Sequence, residues 1–553
     1  MSGPAGAATA PARRAGAGSG LRARTARGTI VNGAFLIGTN LLALLRGFLV
    51  AAFLTTSDYG VWGVLVVLLA TLMWYRQAGV GEKFVQQDEA DQEFAFQRAM
   101  TLELLLAAGF VALGLVVIPG LAAVYGTGQV VLPGLAMLAL LPATALQAPL
   151  WLFYRQMDFV RQRTLQSVEP IVGFVLTVGL AVAGFGYWAM VAGSLAGAFV
   201  GAAVALRACP YRVPRAWDGP TARAYASFSM PLMFSGAAGI VVGQALTVVG
   251  SRAVGLAGVG AIALAGTITQ FAGRADQAVT TTVYPAICAV ADRVDLLYET
   301  FLKSNRLALM WGVPFGAGLA LFAGDLVHLG LGDKWQPAVL LLQATGVAAA
   351  LHQIGFNWDA FYRARDTTRP IAVAAVVGIV AFLALPVPLL AVAGLGGLAW
   401  GILGAEVANT AVRAHYLRRL FPGFSMVRHL GRAIAPTLPA VALVLAVRTA
   451  LIDVRGLPAA LALVALYGAA TAVTTAVLER ELVREVLGYL RRAGGDSHGS
   501  VPPGSPSPPS VPRQSAPVSG LPRPAFSSAA PASASATSPE TSSARLAGGH
   551  AAP

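Results

Sequence analysis

The chain has 553 residues, of which 56% are hydrophobic and only 12% are charged, and its mean hydropathy is +0.67. So few charged side chains cannot cover the surface of a soluble globular protein. The formal net charge of +14 does not indicate nucleic-acid binding, because the basic residues separate apolar runs and do not gather in one polar domain with interleaved aromatic residues.

The first 27 residues are rich in Ala and Gly and carry five arginines. A positively charged start is typical of a secretory signal peptide. However, the apolar stretch that follows is too long, and no small-residue cleavage site comes after it. We therefore predict a disordered, basic N-terminus in the cytoplasm.

Apolar runs long enough to cross a membrane fill most of the chain after residue 27. A crossing needs about 20 mostly apolar residues, and the uncharged run 104–154 is twice as long, with a turn-forming cluster at 125–129 that divides it. The pattern predicts an all-α polytopic membrane protein with about fourteen transmembrane helices, at 28–54, 59–75, 102–124, 130–153, 168–184, 187–207, 228–251, 257–283, 306–329, 337–360, 369–391, 395–417, 432–451 and 457–479.

The basic residues give an independent test of this topology, since Lys and Arg near membrane ends favour the cytoplasmic side. Thirty of the 39 fall in alternate connections or the termini, and only Arg252, Lys334, Arg448 and Arg455 fall in the others. This imbalance predicts a multi-pass protein of the cytoplasmic membrane with an even number of spans and both termini in the cytoplasm.

A sequence repeat relates the two halves of the chain. Phe153-Tyr-Arg-Gln-Met-Asp158 recurs as Phe361-Tyr-Arg-Ala-Arg-Asp366, and each copy precedes a glycine-rich turn, at Gly184 and Gly394 respectively. A displacement of six spans keeps the orientation, so we expect two six-helix lobes in parallel repeat, followed by two additional C-terminal helices.

These features predict six regions. They are a disordered N-terminus (1–27), an N-lobe of six spans (28–207), a cytoplasmic linker (208–227), a C-lobe of six spans (228–420), two further helices with a basic cytoplasmic end (421–492), and a disordered tail rich in Pro, Ser and Ala (493–553).

Several segments of the first half resemble one family. The residues Ala78-Gly-Val-Gly-Glu-Lys-Phe-Val-Gln-Gln87, Phe153-Tyr-Arg-Gln-Met-Asp-Phe159 and Gly184-Phe-Gly-Tyr-Trp-Ala-Met-Val191 look like the polysaccharide transporter (Wzx-like oligosaccharide flippase) family. That family is part of the multidrug/oligosaccharidyl-lipid/polysaccharide exporter (MOP) superfamily. The resemblance implies two six-helix lobes and translocation of a lipid-linked oligosaccharide or polysaccharide precursor by alternating access, for the synthesis of cell-surface polysaccharide.

The implied cargo is an undecaprenyl-diphosphate oligosaccharide, whose charged head needs a polar and cationic cavity within the membrane. Arg46 is the first candidate to bind it, because it lies well inside the first span and its planar fork suits a diphosphate. An arginine that snorkels to the outer headgroups is an equally open interpretation.

Other polar residues within the spans are candidates for the cavity. Arg274 and Gln270 lie together in the eighth span, while Asn40 and Gln244 lie in the first and seventh. An internal ion pair is an alternative role for Arg274, and hydrogen bonds between helices are the alternative for the amides.

His352 and Asp359 are candidates for coupling transport to protons, because a spacing of seven residues places both on one face of a continuous tenth span. Asp325 and Glu406 are further candidates for that role, and a hydrogen-bonded interior histidine is the alternative.

Three functions remain open: the saccharide-lipid transporter, a cation-coupled multidrug exporter of the same superfamily, and a membrane glycosyltransferase or polymerase. The short outer connections offer no place for catalytic residues, so we expect no enzyme activity. Cys209 and Cys288 form no metal-ligand pattern, and we expect neither metal nor cofactor. The expected partners are the lipid-linked saccharide and membrane lipids but no nucleic acid, with polysaccharide polymerase or assembly proteins as candidates, and we expect a monomer.

Overall fold

The computed structural model describes residues 17–211, 219–450, 456–480 and 484. Over these residues all regular secondary structure is helical, which confirms the all-α prediction. The linker residues 212–218 and the tail after 484 lie outside the described residues, as do residues 1–16.

Ten helices form the first half of the chain. They are α1 (Ala17–Phe53), α2 (Thr56–Leu72), α3 (Val80–Gln86), α4 (Gln92–Tyr125), α5 (Val131–Met137), α6 (Leu140–Ala145), α7 (Leu150–Arg155), α8 (Phe159–Gln166), α9 (Val168–Val182) and α10 (Trp188–Ala208).

Ten more follow in the second half. They are α11 (Gly219–Ala253), α12 (Gly255–Ala289), α13 (Val294–Asp325), α14 (Val339–His352), α15 (Trp358–Ala364), α16 (Arg369–Ala384), α17 (Pro386–Leu420), α18 (Met426–Ile434), α19 (Leu438–Ala450) and α20 (Leu457–Leu478).

The chain is a multi-pass membrane protein. In its described part, eight helical stretches are long and apolar enough to cross a membrane, and a ninth is formed if α18 and α19, bent by 47°, make one crossing. Shorter apolar helices such as α2 and α16 account for part of the difference from the expected fourteen, so that number is not confirmed.

Prolines explain where the fourth expected span is divided. The stretch 130–153 contains Pro133, Pro142 and Pro149, and it forms the three short helices α5, α6 and α7 instead of one. A proline lacks the N–H that an α-helix needs in its interior and its ring clashes with the preceding turn. The stretch Gly128–Ala145, which contains α5 and α6, is nevertheless one of the eight that are long and apolar enough to cross a membrane.

The glycine-rich turns lie where the sequence places them. Gly126, Gly184 and Gly394 have φ angles of +75°, +85° and +61°, which glycine adopts without the steric cost of a Cβ. The first two end α4 and follow α9, and Gly394 interrupts the helical geometry inside α17.

The repeated motif ends its helix in the same way in both halves. Met157 and Asp366 are the non-glycine residues with positive φ in the described chain, at +57° and +54°. Asp158 N donates to Phe153 O at 2.9 Å, and Thr367 N donates to Tyr362 O at 3.0 Å. Both are the six-residue hydrogen bond of a Schellman cap. The same kind of turn therefore ends both copies of the motif, but in the second copy it falls one residue later, because Met157 aligns with Arg365 in the sequence repeat and the residue with positive φ is Asp366.

The two halves contact each other at glycines of α2 and α12. A Cβ on Gly60 would lie 1.8 Å from Leu256 O, and a Cβ on Gly260 would lie 2.2 Å from Thr56 O. The backbones therefore touch, which requires glycine on both helices, as in other closely packed membrane helix pairs. This contact fixes the position of the cavity described below.

Candidate functional site

A cavity of about 220 Å³ lies between the two halves. Three helices of the first half line it, α1, α2 and α10, and α12 lines it from the second half. Its polar side chains are Asn40, Arg46, Tyr59 and Thr267. Two of the predicted cavity residues, Arg46 and Asn40, are thus found on one wall.

Arg46 is the cation of this cavity. Its guanidinium makes no hydrogen bond and no ion pair with any residue whose side chain the structure describes. Glu169 of α9 is the carboxylate whose charge acts on it, but its Oε2 accepts a hydrogen bond from Gln147 Nε2 at 2.8 Å instead. The guanidinium lines the cavity and has five N–H donors that can bind an anionic ligand.

Small residues bring α9 close enough to influence Arg46. A Cβ on Gly173 would lie 3.9 Å from Arg46 Nη1 and 3.4 Å from Gly193 O. On the facing helix, a Cβ on Gly197 would lie 2.6 Å from Glu169 O. Because α9 and α10 touch through these glycines, the negative charge of Glu169 is held near the cavity.

The wall contributed by α12 is also in close contact with α1. A Cβ on Gly47 would lie 2.9 Å from Thr267 Cγ2 and 3.7 Å from the Tyr59 hydroxyl. Tyr59 is 2% exposed, so its hydroxyl is directed into the protein and not to lipid. The cavity thus presents one cation, one amide and two hydroxyl groups.

Gln244 lies outside this cavity and connects the halves. Its Oε1 accepts from the Tyr125 hydroxyl at 2.6 Å, and its Nε2 donates to Thr71 Oγ1 at 2.7 Å. Both partners belong to the first half, so the observed contacts are the interhelical hydrogen bonds given as the alternative for this residue.

The predictions for Arg274 and Gln270 concern side chains that lie outside the described part of the chain. The side chains of residues 268–279 lie outside the described part of the chain, although their backbone is part of α12. Both residues follow Thr267 on the helix that lines the cavity.

The structure separates His352 from Asp359. The prediction of one continuous span at 337–360 was wrong. Helix α14 ends at His352 and α15 begins at Trp358, and Gly355 between them has a φ of +71°. Asp359 forms an ion pair of 3.1 Å with Arg363. His352 Nδ1 lies 3.3 Å from Glu406 Oε1 of α17.

Sequence reasoning missed two partners. Glu169 is the lone acidic residue between Asp158 and Asp218 and stands at the start of an apolar run, which was a usable signal. Arg413 lies within the predicted span 395–417, but no role was expected for it, and its side chain is 6% exposed within α17 and contacts Glu406. Its spacing of seven residues from Glu406 places both on one face of the helix, which was a usable signal.

The arrangement can bind an anion. An arginine fork in a partly dry cavity makes paired, charge-assisted hydrogen bonds to phosphate or carboxylate oxygens. Among the described residues there is no group of three or more His, Cys, Asp or Glu side chains suited to a metal ion.

A family model described as polysaccharide biosynthesis protein matches residues 49–340. This match covers α12, the repeated turns of the first half and the cavity residues Tyr59, Met190 and Thr267, whereas Asn40 and Arg46 precede it. No curated protein matches the chain.

Two solved structures are similar in fold. A lipid II flippase, MurJ, in an inward closed conformation has 12% identity and a TM-score of 0.63, over 82% of this chain and 100% of that chain. An inward-facing MATE family multidrug resistance transporter of the MOP superfamily has 15% identity and a TM-score of 0.54, over 71% of this chain and 98% of that chain. The fold is therefore that of these transporters.

Proposed function

The chain belongs to the polysaccharide biosynthesis protein family, and we propose that it transports an anionic, lipid-linked saccharide across the cytoplasmic membrane. The observation that carries the proposal is Arg46, which faces a cavity between the halves without an ion-pair partner among the described side chains. A charge in this position is costly unless a ligand or water compensates it.

Alternating access suits the two repeated halves. The cavity has walls from both of them, so a rocking motion of one against the other would expose it first to one side and then to the other. In this scheme residues 28–207 and 228–420 are the two lobes, and residues 421–492 supply the additional helices.

The observed roles of basic residues support the proposed orientation, with both termini in the cytoplasm. Three of the four exceptions to the positive-inside pattern bind helix-end carbonyls: Arg252 binds Ala123 O and Val124 O, Lys334 binds Ala52 O and Leu54 O, and Arg448 binds Leu321 O. They have structural partners there, so they do not argue against that face being outside.

The sign of the cavity charge favours this cargo over a cationic drug. A multidrug exporter of the same fold would need a carboxylate directed into the cavity to bind a cation. Among the described side chains, the charged one directed into the cavity is Arg46, and Glu169 accepts a hydrogen bond from Gln147. The turns at Gly126 and Gly184 join consecutive helices within a few residues, which leaves no room there for a catalytic domain, and we propose a transporter and not an enzyme.

The test is transport of a fluorescent short-chain polyprenyl-diphosphate disaccharide in proteoliposomes, measured by its access to an impermeant glycosidase. Arg46→Ala should reduce the rate by about tenfold or more, since a hydrogen bond to a charged group contributes about 1.5–3 kcal/mol. Arg161→Ala is the matched control, because this exposed arginine stacks over Phe153 at 4.5 Å and lies outside the cavity. Equal rates for wild type and Arg46→Ala would contradict the proposal.

A further inference from the structure

A second cavity, of about 340 Å³, lies within the second half of the chain. Its walls come from α11, α12, α14, α16 and α17, and they are mostly apolar. His352 and Glu406 are the ionisable side chains that line it. His352 is 58% exposed at its side chain, and Glu406 is 12% exposed. An ionisable pair in an apolar cavity requires an explanation beyond packing.

The contacts of His352 Nδ1 define two alternative states. The atom lies 3.3 Å from Glu406 Oε1 and 3.4 Å from Arg413 Nη2. A carboxylate can only accept and a guanidinium can only donate. In the neutral ring Nδ1 accepts from Arg413 if the proton is on Nε2, and donates to Glu406 if the proton is on Nδ1. The imidazolium carries a proton on both nitrogens, so protonation leaves only the donor contact with Glu406.

Protonation of His352 also changes the charge at the wall of the cavity. Arg413 and Glu406 are in contact, with side chains 6% and 12% exposed, and together they are neutral. A proton on His352 adds one positive charge beside them, and Glu406 then stabilises two cations instead of one.

Other charged groups on the packed helices have partners of their own. On α15, Asp359 pairs with Arg363, and Arg369 at the start of α16 is exposed. The side chains 268–279 of α12 are outside the described part. On α13 and the segment after it, the ion pairs are Lys303 with Glu299, Arg306 with Glu479, Asp325 with Arg448 and His328 with Asp333. Arg252 and Lys334 bind backbone carbonyls.

Arg413 contacts both the imidazole of His352 and the turn between α14 and α15. Its Nη1 donates to His352 O at 2.5 Å and to Ile354 O at 3.1 Å. The same turn is held by Asn305, which donates to Gln353 O and accepts from Gly355 N, both at 3.2 Å. A change in the hydrogen bonds of Arg413 therefore acts on a turn where a long span is already interrupted.

The two cavities share one helix. Gly266 lines the cavity of His352, and the next residue, Thr267, lines the cavity of Arg46. A shift of α12 at this point alters both cavities, so proton and cargo do not need to compete for one side chain.

We propose that His352, with Glu406 and Arg413, is a proton-binding site that couples a proton gradient to movement of the cargo held at Arg46. This inference rests on the proposed transport function for its cargo. The proton site itself is defined by side chains of the second half alone, so it can be tested without cargo.

The direct test is an NMR titration of the full chain, with ¹³C-labelled histidine, in lipid nanodiscs without cargo. The resonance missing from His352→Gln should respond to pH as the imidazole gains a proton. Glu406→Gln should make this protonation less favourable, because a carboxylate that stabilises the imidazolium is removed. Glu406→Asp, which keeps the charge, should largely restore protonation and shows whether a failure of Glu406→Gln reflects misfolding.

His328→Gln is the matched control. His328 also forms a histidine–carboxylate pair, of 2.6 Å with Asp333, but it lines neither cavity. This variant should leave the pH response of His352 unchanged. A His352 resonance that does not respond to pH, or responds in the same way in Glu406→Gln, would overturn the proposal.

The functional test uses the same proteoliposomes and fluorescent disaccharide, with a pH-sensitive dye trapped inside. Proton movement should accompany transport in wild type and in His328→Gln, and His352→Gln should transport at a rate that no longer responds to a pH gradient. A His352→Gln variant that still responds to the gradient refutes the coupling site. In that outcome the effect of Arg46→Ala still decides the transport function separately.

Discussion

The indole N–H of Trp335 donates a hydrogen bond of 2.9 Å to the carbonyl of Ala51, 284 residues earlier in the chain. Trp335 is fully buried and meets Tyr59 edge to face, with 5.3 Å between ring centroids. The neighbouring ammonium of Lys334 binds Ala52 O and Leu54 O at 2.7 and 2.8 Å. The second half thus holds the C-terminal end of α1, where carbonyls lack partners within the helix and the helix dipole is negative.

Arg252 makes the corresponding contact with α4. Its Nε and Nη2 donate to Val124 O and Ala123 O at 2.9 and 2.8 Å. Donors from the second half therefore hold the C-terminal ends of two helices of the first half. In the proposed topology both ends lie at the outer face, which these contacts would help to keep closed.

We expect the double variant Lys334→Ala, Arg252→Ala to open that face more often. Each lost contact removes about 1 kcal/mol or more from the closed arrangement, and a difference of this size changes a population ratio about fivefold. The measurement is the rate at which an impermeant thiol reagent, applied outside intact cells, labels Ala43→Cys in the Arg46 cavity, with Cys209 and Cys288 replaced by alanine.

Arg448→Ala is the control for this experiment. Arg448 also binds a helix-end carbonyl, Leu321 O at 3.1 Å, and contacts Asp325, but both partners belong to the second half. This variant should lower stability without faster labelling. Equal acceleration by Arg448→Ala would mean that general loosening, and not release of the two halves, exposes the cysteine.

Gly60→Ala should destabilise the protein. The added Cβ would lie 1.8 Å from Leu256 O, so α2 and α12 must separate, and overpacking of this kind costs about 1–3 kcal/mol. The thermal unfolding temperature in detergent measures the effect. Gly109→Ala in α4 is the matched control, because its Cβ would meet nothing within 4 Å and alanine raises helix propensity. An unfolding temperature for Gly60→Ala at or above that of wild type would show that the helices are not in contact.

Arg46→Lys separates charge from geometry at the cargo site. Lysine keeps the positive charge but cannot donate the two parallel hydrogen bonds of a guanidinium. We expect a transport rate between those of wild type and Arg46→Ala for the diphosphate probe. A rate for Arg46→Lys as low as that for Arg46→Ala would instead show that the fork itself is essential, and a wild-type rate would show that charge alone suffices.

Met157→Gly should stabilise the repeated turn of the first half. Met157 has a φ of +57°, which costs a residue with a Cβ about 1–2 kcal/mol, and glycine removes that cost. The added flexibility of the unfolded chain offsets part of it, so we expect a gain of about 0.5–1 kcal/mol. Asp366→Gly should gain less, because aspartate tolerates this conformation better. Denaturant unfolding in detergent compares the two, and a larger gain at Asp366 would refute the explanation.

Periodicity and charge were sufficient to predict a helical membrane protein, because both are patterns that are local in sequence. The turns at Gly126 and Gly184, the paired caps at Met157 and Asp366, and the placement of Arg46 within a span all follow from residues close to one another. The number of spans was less accessible, since prolines and short helices divide apolar runs in ways that composition does not show.

By itself the sequence determined that the chain enters a membrane and that Arg46 lies within a span, because the water-to-lipid free energy acts on every residue independently of its distant neighbours. The pairs Asp359–Arg363 and Glu406–Arg413 also lie within single helices, four and seven residues apart, so residue spacing allows them. Only the tertiary structure decided that His352 lies beside Glu406 and that Gln147 donates to Glu169, because these contacts depend on distances of a few ångströms between different helices.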